Sequence, residues 1–173
     1  MVKMSEYVDC FLKHIVFKIP TILRDTPDFI NKIKDHKFIS PEKEIYLVTM
    51  DVESLYPNID HHGGTEACRT FLDQRQYKSI PTGNLVNMIL LILKSNTMIF
   101  CEKIYHQIKG TAMGTPMAVS YANLFMLWFE QNLLKEYEAK FNTKPTLWLR
   151  FIDDIFFVWT GDETSLNHFL SFC

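Results

Sequence analysis

The sequence predicts an α+β fold in which helices pack on one face of an antiparallel sheet. The chain has 173 residues, which suits one domain or one domain with part of another. An apolar fraction of 47% and 14 Phe residues allow a sizeable core. The predicted elements run as strand, helices, hairpin, helix, hairpin and helix, an order that fits helices layered on an antiparallel sheet.

The first half of the chain is predicted to hold one strand among helices. Thr26 is a predicted N-cap, because its hydroxyl can accept a bond from a helical N–H, and Pro27 suits the first helical position. The apolar run over residues 46–52 predicts a strand that is buried on both faces. The elements predicted here are, in order, helices over 4–18 and from Thr26, the strand 46–52, a turn at Pro57-Asn58, and helices over about 64–75 and 83–95.

The second half is predicted to hold two hairpins on either side of a long helix. The first hairpin turns at Glu102-Lys103, between two apolar runs. The long helix extends from Pro116 to about Ala139, and a hairpin that turns at Asp153-Asp154 follows it. A last helix begins at Glu163. The apolar stripe predicted on the long helix consists of Ala118, Ala122, Phe125, Phe129 and Leu133.

Charge, cysteine usage and hydropathy narrow the class of protein. A net charge of −2 argues mildly against an isolated nucleic-acid-binding domain, which usually carries a basic patch, unless a basic domain flanks it. The 4 cysteines form no C-x-x-C pair, as expected for reduced intracellular thiols. Apolar runs are too short to span a bilayer, and residues 1–9 do not form a signal peptide. We therefore expect an intracellular protein that is not secreted.

Carboxylates at strand ends carry the strongest functional signal. Asp51 ends one apolar strand, and Asp153-Asp154 lie between two β-rich runs. Adjacent acids repel each other and are a poor choice for a two-residue turn, which prefers glycine-containing pairs. Hard cations such as Mg²⁺ take carboxylate oxygens and neutralise them. The pattern predicts a two-metal nucleotidyl-transfer site, whereas Asp153-Asp154 alone would also fit a solvated turn.

The three acids are not expected to be equivalent metal ligands. If the strands of Asp51 and Asp153 are neighbours, both carboxylates can point into one crevice. Consecutive strand residues face opposite ways, so we predict Asp153 as the main ligand and Asp154 as a weaker one. The backbone carbonyl of Val52 is predicted to supply a further oxygen. Two Mg²⁺ ions, for which Mn²⁺ can substitute, would then activate a primer 3′-hydroxyl and stabilise the leaving pyrophosphate.

A glycine-containing segment, residues 110–116, leads into the long helix. Gly114 has no Cβ, so the backbone there can approach a flat ligand such as a base pair. The alternative is an ordinary loop that leads into a helix, with Thr115 as its cap. The nearby Asp60-His61-His62 has no partner ligands at zinc spacing and is predicted to be a polar loop.

Three motifs in this order resemble motifs A, B and C of reverse transcriptases: Asp51 with Tyr56 five positions on, the glycine segment, and an aromatic residue before Asp153-Asp154. Their details are similar to Penelope-like retroelements, which are relatives of telomerase reverse transcriptase. The segments that carry this resemblance are residues 49–59, 110–116 and 150–154, together with 23–29 upstream of motif A.

The resemblance implies the palm of a right-hand polymerase with part of the fingers. Residues 1–43 would be a helical fingers-side segment, and residues 44–173 would be a palm that is truncated before the thumb. The implied activity is RNA-directed DNA synthesis with Mg²⁺, acting on an RNA template, a DNA primer and deoxynucleoside triphosphates. The missing fingers and thumb segments would be partners of this piece, and the implied compartment is the nucleus.

The family also implies roles for matching residues. Tyr56 would be a steric gate whose ring excludes a ribose 2′-hydroxyl, and the backbone of Glu53 to Leu55 would contact the triphosphate. Met113 and Gly114 would line the nascent base pair; many relatives carry Gln in place of Met113, and Met is expected for the Penelope-like branch. The implied catalytic residues are Asp51, Asp153 and Asp154, and the implied nucleotide-binding residues are Val52, Glu53, Ser54, Leu55, Tyr56, Met113 and Gly114.

Two other functions remain open. One is a catalytically inactive remnant of a retroelement that acts as a nucleic-acid or protein binding module. The other is a small carboxylate-metal hydrolase on an unrelated fold, which explains the acids but neither Tyr56 nor the Gly114 segment.

Overall fold

The computed structural model describes residues 1–38 and 44–173, which form two compact units of two chain stretches each. Unit 1 consists of Met1–Ile19 and Ser54–Trp128, and unit 2 of Pro20–Glu53 and Phe129–Cys173. The predicted boundary after residue 43 lies outside the described residues. The elements are α1 (Val2–Val16), α2 (Thr26–Asp35), β1 (Ile45–Asp51), α3 (Leu55–Asn58), α4 (His61–Asp73), α5 (Thr82–Leu93), β2 (Thr97–Phe100), β3 (Lys103–His106), α6 (Ala118–Phe141), β4 (Leu147–Phe151), β5 (Asp154–Thr160) and α7 (Glu163–Phe172).

Unit 2 is built on a three-stranded antiparallel sheet with the order β1-β5-β4. Its main core lies on the face that carries Trp148, Phe157 and Trp159, where α7 inserts Phe169. The rings of Trp148 and Phe157 stack with centroids 5.3 Å apart, and those of Trp159 and Phe169 stack at 5.0 Å. Stacked and edge-on aromatic pairs of this kind contribute beyond their buried area. The predicted α+β class with an antiparallel sheet is confirmed.

The other face of this sheet is covered in part by α2. Phe156 of β5 points away from Phe157, because successive strand residues face opposite sides, and it contacts Phe29 edge-on at 5.1 Å. The N-cap of α2 is Asp25. Its carboxylate accepts a hydrogen bond from the Asp28 amide at 2.8 Å. The predicted cap Thr26 was therefore displaced by one position, since the aspartate before it reaches the same group.

Strand β1 is not buried on both faces, so that prediction was wrong. Its residues alternate between exposed and half-buried, and Leu47 is 64% exposed. The apolar run suggested a central strand, but among the described strands β1 lies at the edge of the sheet and pairs only with β5. An edge strand keeps a free side, and an apolar sequence alone does not show which position a strand takes.

Unit 1 is helical, with α1, α4 and α5 packed together around buried apolar side chains such as Leu12, Leu72 and Ile89. Two hydrogen bonds join α1 to the start of α6. The amide of Met117 donates to the Ser5 hydroxyl at 3.0 Å, and the Ser120 hydroxyl donates to a carboxylate oxygen of Asp9 at 2.5 Å. None of the helices within the described residues has both the length and the apolar content to cross a bilayer.

Helix α6 has the predicted length but is shifted by two residues toward the C-terminus, and its second half buries a different side from the predicted one. It begins at Ala118 rather than Pro116 and ends at Phe141, after which Asn142 adopts a positive φ of 52°. The predicted stripe is right at Ala118 and Ala122, which are fully buried, but Phe129 is 42% exposed. Glu130 and Tyr137 are buried instead, since the second half of the helix presents this side to unit 2.

The hairpin of β2 and β3 turns at Cys101-Glu102 instead of Glu102-Lys103. Both turn residues have positive φ, 48° and 61°, as a two-residue hairpin of type I′ requires. Lys103 becomes the first residue of β3 and pairs with Phe100. The pairing shows that the turn lies one residue earlier than the apolar pattern indicated.

Candidate active site

Asp51 and Asp154 lie directly opposite each other in the pairing of β1 with β5. The amide of Val52 donates to the carbonyl of Asp153 at 3.2 Å, so the next pair along the ladder, Val52 with Asp153, is the hydrogen-bonded one. Asp51 and Asp154 are therefore a non-hydrogen-bonded antiparallel pair, the kind in which opposite side chains are closest and share one face. The sequence analysis left open whether the two strands are neighbours; the pairing of β1 with β5 shows that they are, and it joins residues that are remote in sequence.

The hairpin turn consists of Ile152 and Asp153, not of Asp153 and Asp154. Phe151 pairs with Asp154, which places Asp154 in the first position of β5 and leaves two residues to turn the chain. Ile152 has a φ of 56°. A β-branched residue in the left-handed region is strained, and such strain persists only where the surroundings enforce it. The sequence-based position was wrong because no glycine marks the turn.

A buried ion pair next to this turn was not anticipated from the sequence. The Arg150 Nε donates to Oε1 of Glu130 at 2.7 Å, and the side chains are 0% and 4% exposed. The same carboxylate oxygen accepts from the indole N–H of Trp148 at 3.0 Å. Arg150 Nη1 also donates to the carbonyl of Ile152 at 2.9 Å. The available signal was an arginine inside an otherwise apolar strand.

The acids fit a hard divalent cation by their donor chemistry. Within the described ranges, none of Asp51, Asp153 and Asp154 has an ion-pair partner, and Asp51 and Asp154 are exposed. The same ranges contain no group of three or more His, Cys, Asp and Glu side chains placed to hold a metal ion by themselves. Mg²⁺ is usually held by one or two carboxylates together with substrate phosphates and water, so a facing carboxylate pair suits it.

In unit 1, the turn that carries Tyr56 is joined to the glycine segment by backbone hydrogen bonds. The Thr111 amide donates to the Tyr56 carbonyl at 3.0 Å, and the Gly110 amide donates to the Ile59 carbonyl at 3.0 Å. Gly110 has a φ of +78°, and a Cβ there would lie 2.5 Å from Cα of Pro57. Only glycine allows this approach, so Gly110 fixes the segment against the Tyr56 turn.

His61 supports the same segment, and the prediction of a polar loop over Asp60-His61-His62 was wrong. Asp60 is the N-cap of α4 and accepts a bond from the Gly63 amide at 2.7 Å, while His61 is the first residue of that helix. The His61 Nε2 lies 2.9 Å from the carbonyl O of Gly110. With Nε2 protonated, His61 donates to this carbonyl and holds Gly110 from the other side.

Met113 and Gly114 lie exposed before α6. Met113 is 74% exposed, and a Cβ added to Gly114 would meet no heavy atom within 4 Å. Unlike Gly110, Gly114 has no packing reason to be glycine within the described chain. The backbone of Gly114 is therefore accessible to a ligand.

The remaining predicted residues lie between Asp51 and Tyr56. Glu53 is exposed, Leu55 is buried, and Ser54 has a positive φ of 53° before the short helix α3. The carboxylates, Val52 and Glu53 belong to unit 2, while Ser54, Leu55, Tyr56, Met113 and Gly114 belong to unit 1.

A family model described as reverse transcriptase (RNA-dependent DNA polymerase) matches residues 3–172. The matched range contains all three motifs in order. The chain belongs to the reverse transcriptase family. An unrelated hydrolase fold, considered from the sequence, is excluded by this match. No curated protein matches the chain by sequence.

Solved telomerase structures share the fold. An apo telomerase from Candida tropicalis, truncated from its C-terminal domain, has a TM-score of 0.67 at 12% identity and aligns with 98% of this chain and 36% of its own. A telomerase from Candida albicans in complex with a TWJ fragment of telomeric RNA has a TM-score of 0.70 at 10% identity, covering 97% of this chain and 32% of its own. This chain thus spans about a third of the telomerase chains that it matches.

Proposed function

We propose that this chain is the palm of an RNA-directed DNA polymerase that adds deoxynucleotides to a DNA primer on an RNA template. The observation that carries the proposal is the direct pairing of Asp51 with Asp154, next to the turn residue Asp153, in a chain of the reverse transcriptase family. Three acids at the adjoining ends of two paired strands support cation-dependent nucleotidyl transfer at this place.

Asp51 and Asp154 would hold the divalent cations, with Asp153 and the Val52 carbonyl as additional donors. Mg²⁺ held by these donors would supply activation of the attacking hydroxyl and neutralisation of charge on the leaving pyrophosphate. Because Asp51 pairs directly with Asp154, these two carboxylates are the favoured pair of cation ligands. That Asp153 is the main ligand stays a prediction. The chain itself supplies the carboxylates and holds their strands in register through the bond from Val52 to Asp153.

Tyr56, Met113 and Gly114 would bind the incoming nucleotide. The Thr111 amide fixes the backbone of the half-buried Tyr56, and the ring that projects from this turn would be the barrier to a ribose 2′-hydroxyl. The open space at Gly114 would admit the base pair, beside the exposed Met113. The backbone of Glu53, Ser54 and Leu55 would contact the triphosphate.

We also propose a Penelope-like retroelement origin, a nuclear site of action, and fingers and thumb segments as partners of residues 1–173. The motif sequences support the branch, and the RNA bound to the Candida albicans telomerase supports RNA as the template class. In this proposal, residues 1–43 act as the fingers-side segment and residues 44–173 as the palm.

Metal-dependent thermal unfolding and primer extension test the function together. Mg²⁺ or Mn²⁺ should raise the melting temperature of the wild-type chain, and Asp51→Asn should abolish that rise. Primer extension on an RNA template should require the same metal and should fall at least about a hundredfold in Asp51→Asn, since such ions lower the barrier by several kcal/mol. Asp73→Asn, on an exposed carboxylate at the end of α4, is the matched control and should leave both readouts unchanged.

The inactive remnant predicts a different pattern. A binding module would retain RNA–DNA hybrid binding that is insensitive to Asp51→Asn, with no metal-dependent rise in melting temperature. Full extension activity in Asp51→Asn would contradict the proposed chemistry.

A further inference from the structure

The strongest polar contact network of unit 2 that the proposed chemistry does not use surrounds Arg150. Its Nε bonds to Glu130 of α6 at 2.7 Å, and its Nη1 bonds to the carbonyl of Ile152 at 2.9 Å. The indole N–H of Trp148 donates to the same Glu130 oxygen at 3.0 Å. Arg150 is 0% exposed and Glu130 is 3% exposed, so the charges are withdrawn from water.

The backbone of Arg150 is fixed as well. Its amide donates to the Thr21 carbonyl at 2.9 Å, and its carbonyl accepts from the Leu23 amide at 2.8 Å. These bonds form a parallel bridge between Ile22 and Arg150 on the side of β4 that faces away from β5. Both the main chain and the guanidinium of Arg150 are thereby held in one position.

Arg150 donates to the carbonyl of a residue with a strained backbone, Ile152. Ile152 holds a φ of 56°, which a β-branched residue rarely adopts without enforcement. The carbonyl of Ile152 points at Nη1 of Arg150, and the next residue is Asp153. A rotation of the Ile152 peptide would break this bond and would turn Asp153 away from its contact with the Val52 amide.

Stability alone does not account for a buried ion pair at this position. Removing two charges from water is costly, and well-packed apolar residues of similar volume often replace such pairs with no loss of stability. What an apolar pair lacks is a directional donor toward a carbonyl. The planar guanidinium supplies several N–H groups in fixed directions, so Glu130 can orient it while another N–H remains for Ile152.

We propose that the Glu130–Arg150 pair is a positioning device that holds the Ile152-Asp153 turn, and with it the carboxylate of Asp153, in register with Asp51. Arg150 and Glu130 are positioning residues, since neither would touch substrate or cation. The consequence for catalysis rests on the proposed function, whereas the effect on the turn does not.

The double variant Glu130→Met with Arg150→Met separates position from stability. It replaces the pair by apolar side chains and leaves no unpaired charge, so the melting temperature should fall only by the cost of the hydrogen bonds that the Trp148 indole N–H and the Ile152 carbonyl lose. Amide hydrogen exchange at Val52, whose N–H bonds to Asp153, should accelerate at least about tenfold relative to the Phe157 amide in the same sheet. The metal concentration that gives half of the thermal shift should rise about 10- to 100-fold, as for other residues that orient ligands.

Arg75→Met is the matched control in unit 1. Arg75 also donates to backbone carbonyls, those of Leu72 at 2.8 Å and Ile80 at 3.1 Å. This variant should leave the Val52-to-Phe157 exchange ratio and the metal response unchanged. If it changes them as much as the double variant does, a general loss of rigidity explains the effect and the proposal is overturned.

A single variant keeps the test informative if the double variant does not fold. Glu130→Gln retains the shape and the acceptor oxygen but removes the charge that orients Arg150, and it should raise the exchange ratio by a smaller factor. An unchanged ratio in whichever of the two variants folds overturns the positioning role. If the variants raise the exchange ratio but the wild-type chain shows no metal response, the positioning role stands and the proposed function is contradicted.

Discussion

The amide nitrogen of Thr111 lies 3.0 Å from the carbonyl oxygen of Tyr56, although the two residues are remote in sequence. This bond and the close approach of Gly110 to Pro57 connect the segment that contains Met113 and Gly114 to the turn that contains the proposed steric gate. The two parts of the proposed nucleotide-binding surface in unit 1 are therefore joined through their backbones.

Gly110→Ala and Gly114→Ala should have opposite consequences. Gly110→Ala places a Cβ at positive φ and 2.5 Å from Pro57 Cα, so it should lower the free energy of unfolding by at least about 1–2 kcal/mol. Gly114→Ala meets open space, so the melting temperature should hold while nucleotide addition weakens. Thermal unfolding and primer extension measure the two effects. Equal stability losses in both variants would contradict the distinction.

Removing one of the facing acids should stabilise the metal-free chain and abolish its response to metal. Like charges directly opposite in a sheet repel, so Asp51→Asn or Asp154→Asn should raise the free energy of unfolding without metal by about 0.2–1 kcal/mol. Wild type should overtake both variants as Mg²⁺ is added, with a gain of about 2.7 kcal/mol at a hundredfold excess over Kd. Chemical unfolding with and without Mg²⁺ provides the measurement, and a wild-type gain that persists in both variants argues against a shared cation.

Asp153→Asn ranks the ligands. If Asp153 is the main ligand, its loss should impair extension as severely as Asp51→Asn; if the facing pair dominates, Asp154→Asn should be the more severe. Extension rates over a Mg²⁺ titration for the three single variants give the order. If all three variants extend the primer at the wild-type rate, the acids take no part in the proposed reaction.

Tyr56→Val should admit ribonucleotides while deoxynucleotide addition is largely retained, because the barrier to a 2′-hydroxyl is steric. The measurement is the ratio of ribonucleotide to deoxynucleotide incorporation, on at least two template sequences. If Tyr56 is only a packing residue, truncation should instead cost roughly 3–5 kcal/mol of stability and reduce all activity together. A folded Tyr56→Val with an unchanged ratio would rule out the gate.

Acid should weaken the start of α2. A hydrogen bond from Lys32 at 3.0 Å, with the Arg24 amide as a second donor, holds the pKa of Asp28 below its ordinary value. A lowered pKa means that the folded state favours the carboxylate. Its contribution is complete above the unfolded pKa of about 4 and is lost as pH falls through the folded value. Asp28→Asn should therefore lower stability at neutral pH and flatten the loss below about pH 4, as measured by denaturant unfolding at several pH values.

Much of the fold could be predicted because helices and strand ends are encoded locally. The helix over 163–172, the existence of both hairpins and the strand that ends at Asp51 agree with the structure. Turn positions were less predictable: both hairpins turn one residue earlier than expected, at Cys101-Glu102 and Ile152-Asp153, and neither turn contains the glycine that usually marks positive φ.

The sequence by itself singled out the carboxylates of the candidate site, since Asp51, Asp153 and Asp154 are recognisable from their place at the ends of apolar runs. Only the tertiary structure decided that Asp154 faces Asp51, that Glu130 meets Arg150, and that β1 is an edge strand. These relationships depend on the register of strands and helices that are distant in sequence. A shift of one residue in the register of a strand would move every one of its side chains to the opposite face, and for strands that no short turn connects, such as β1 and β5, the sequence near each strand does not reveal this register.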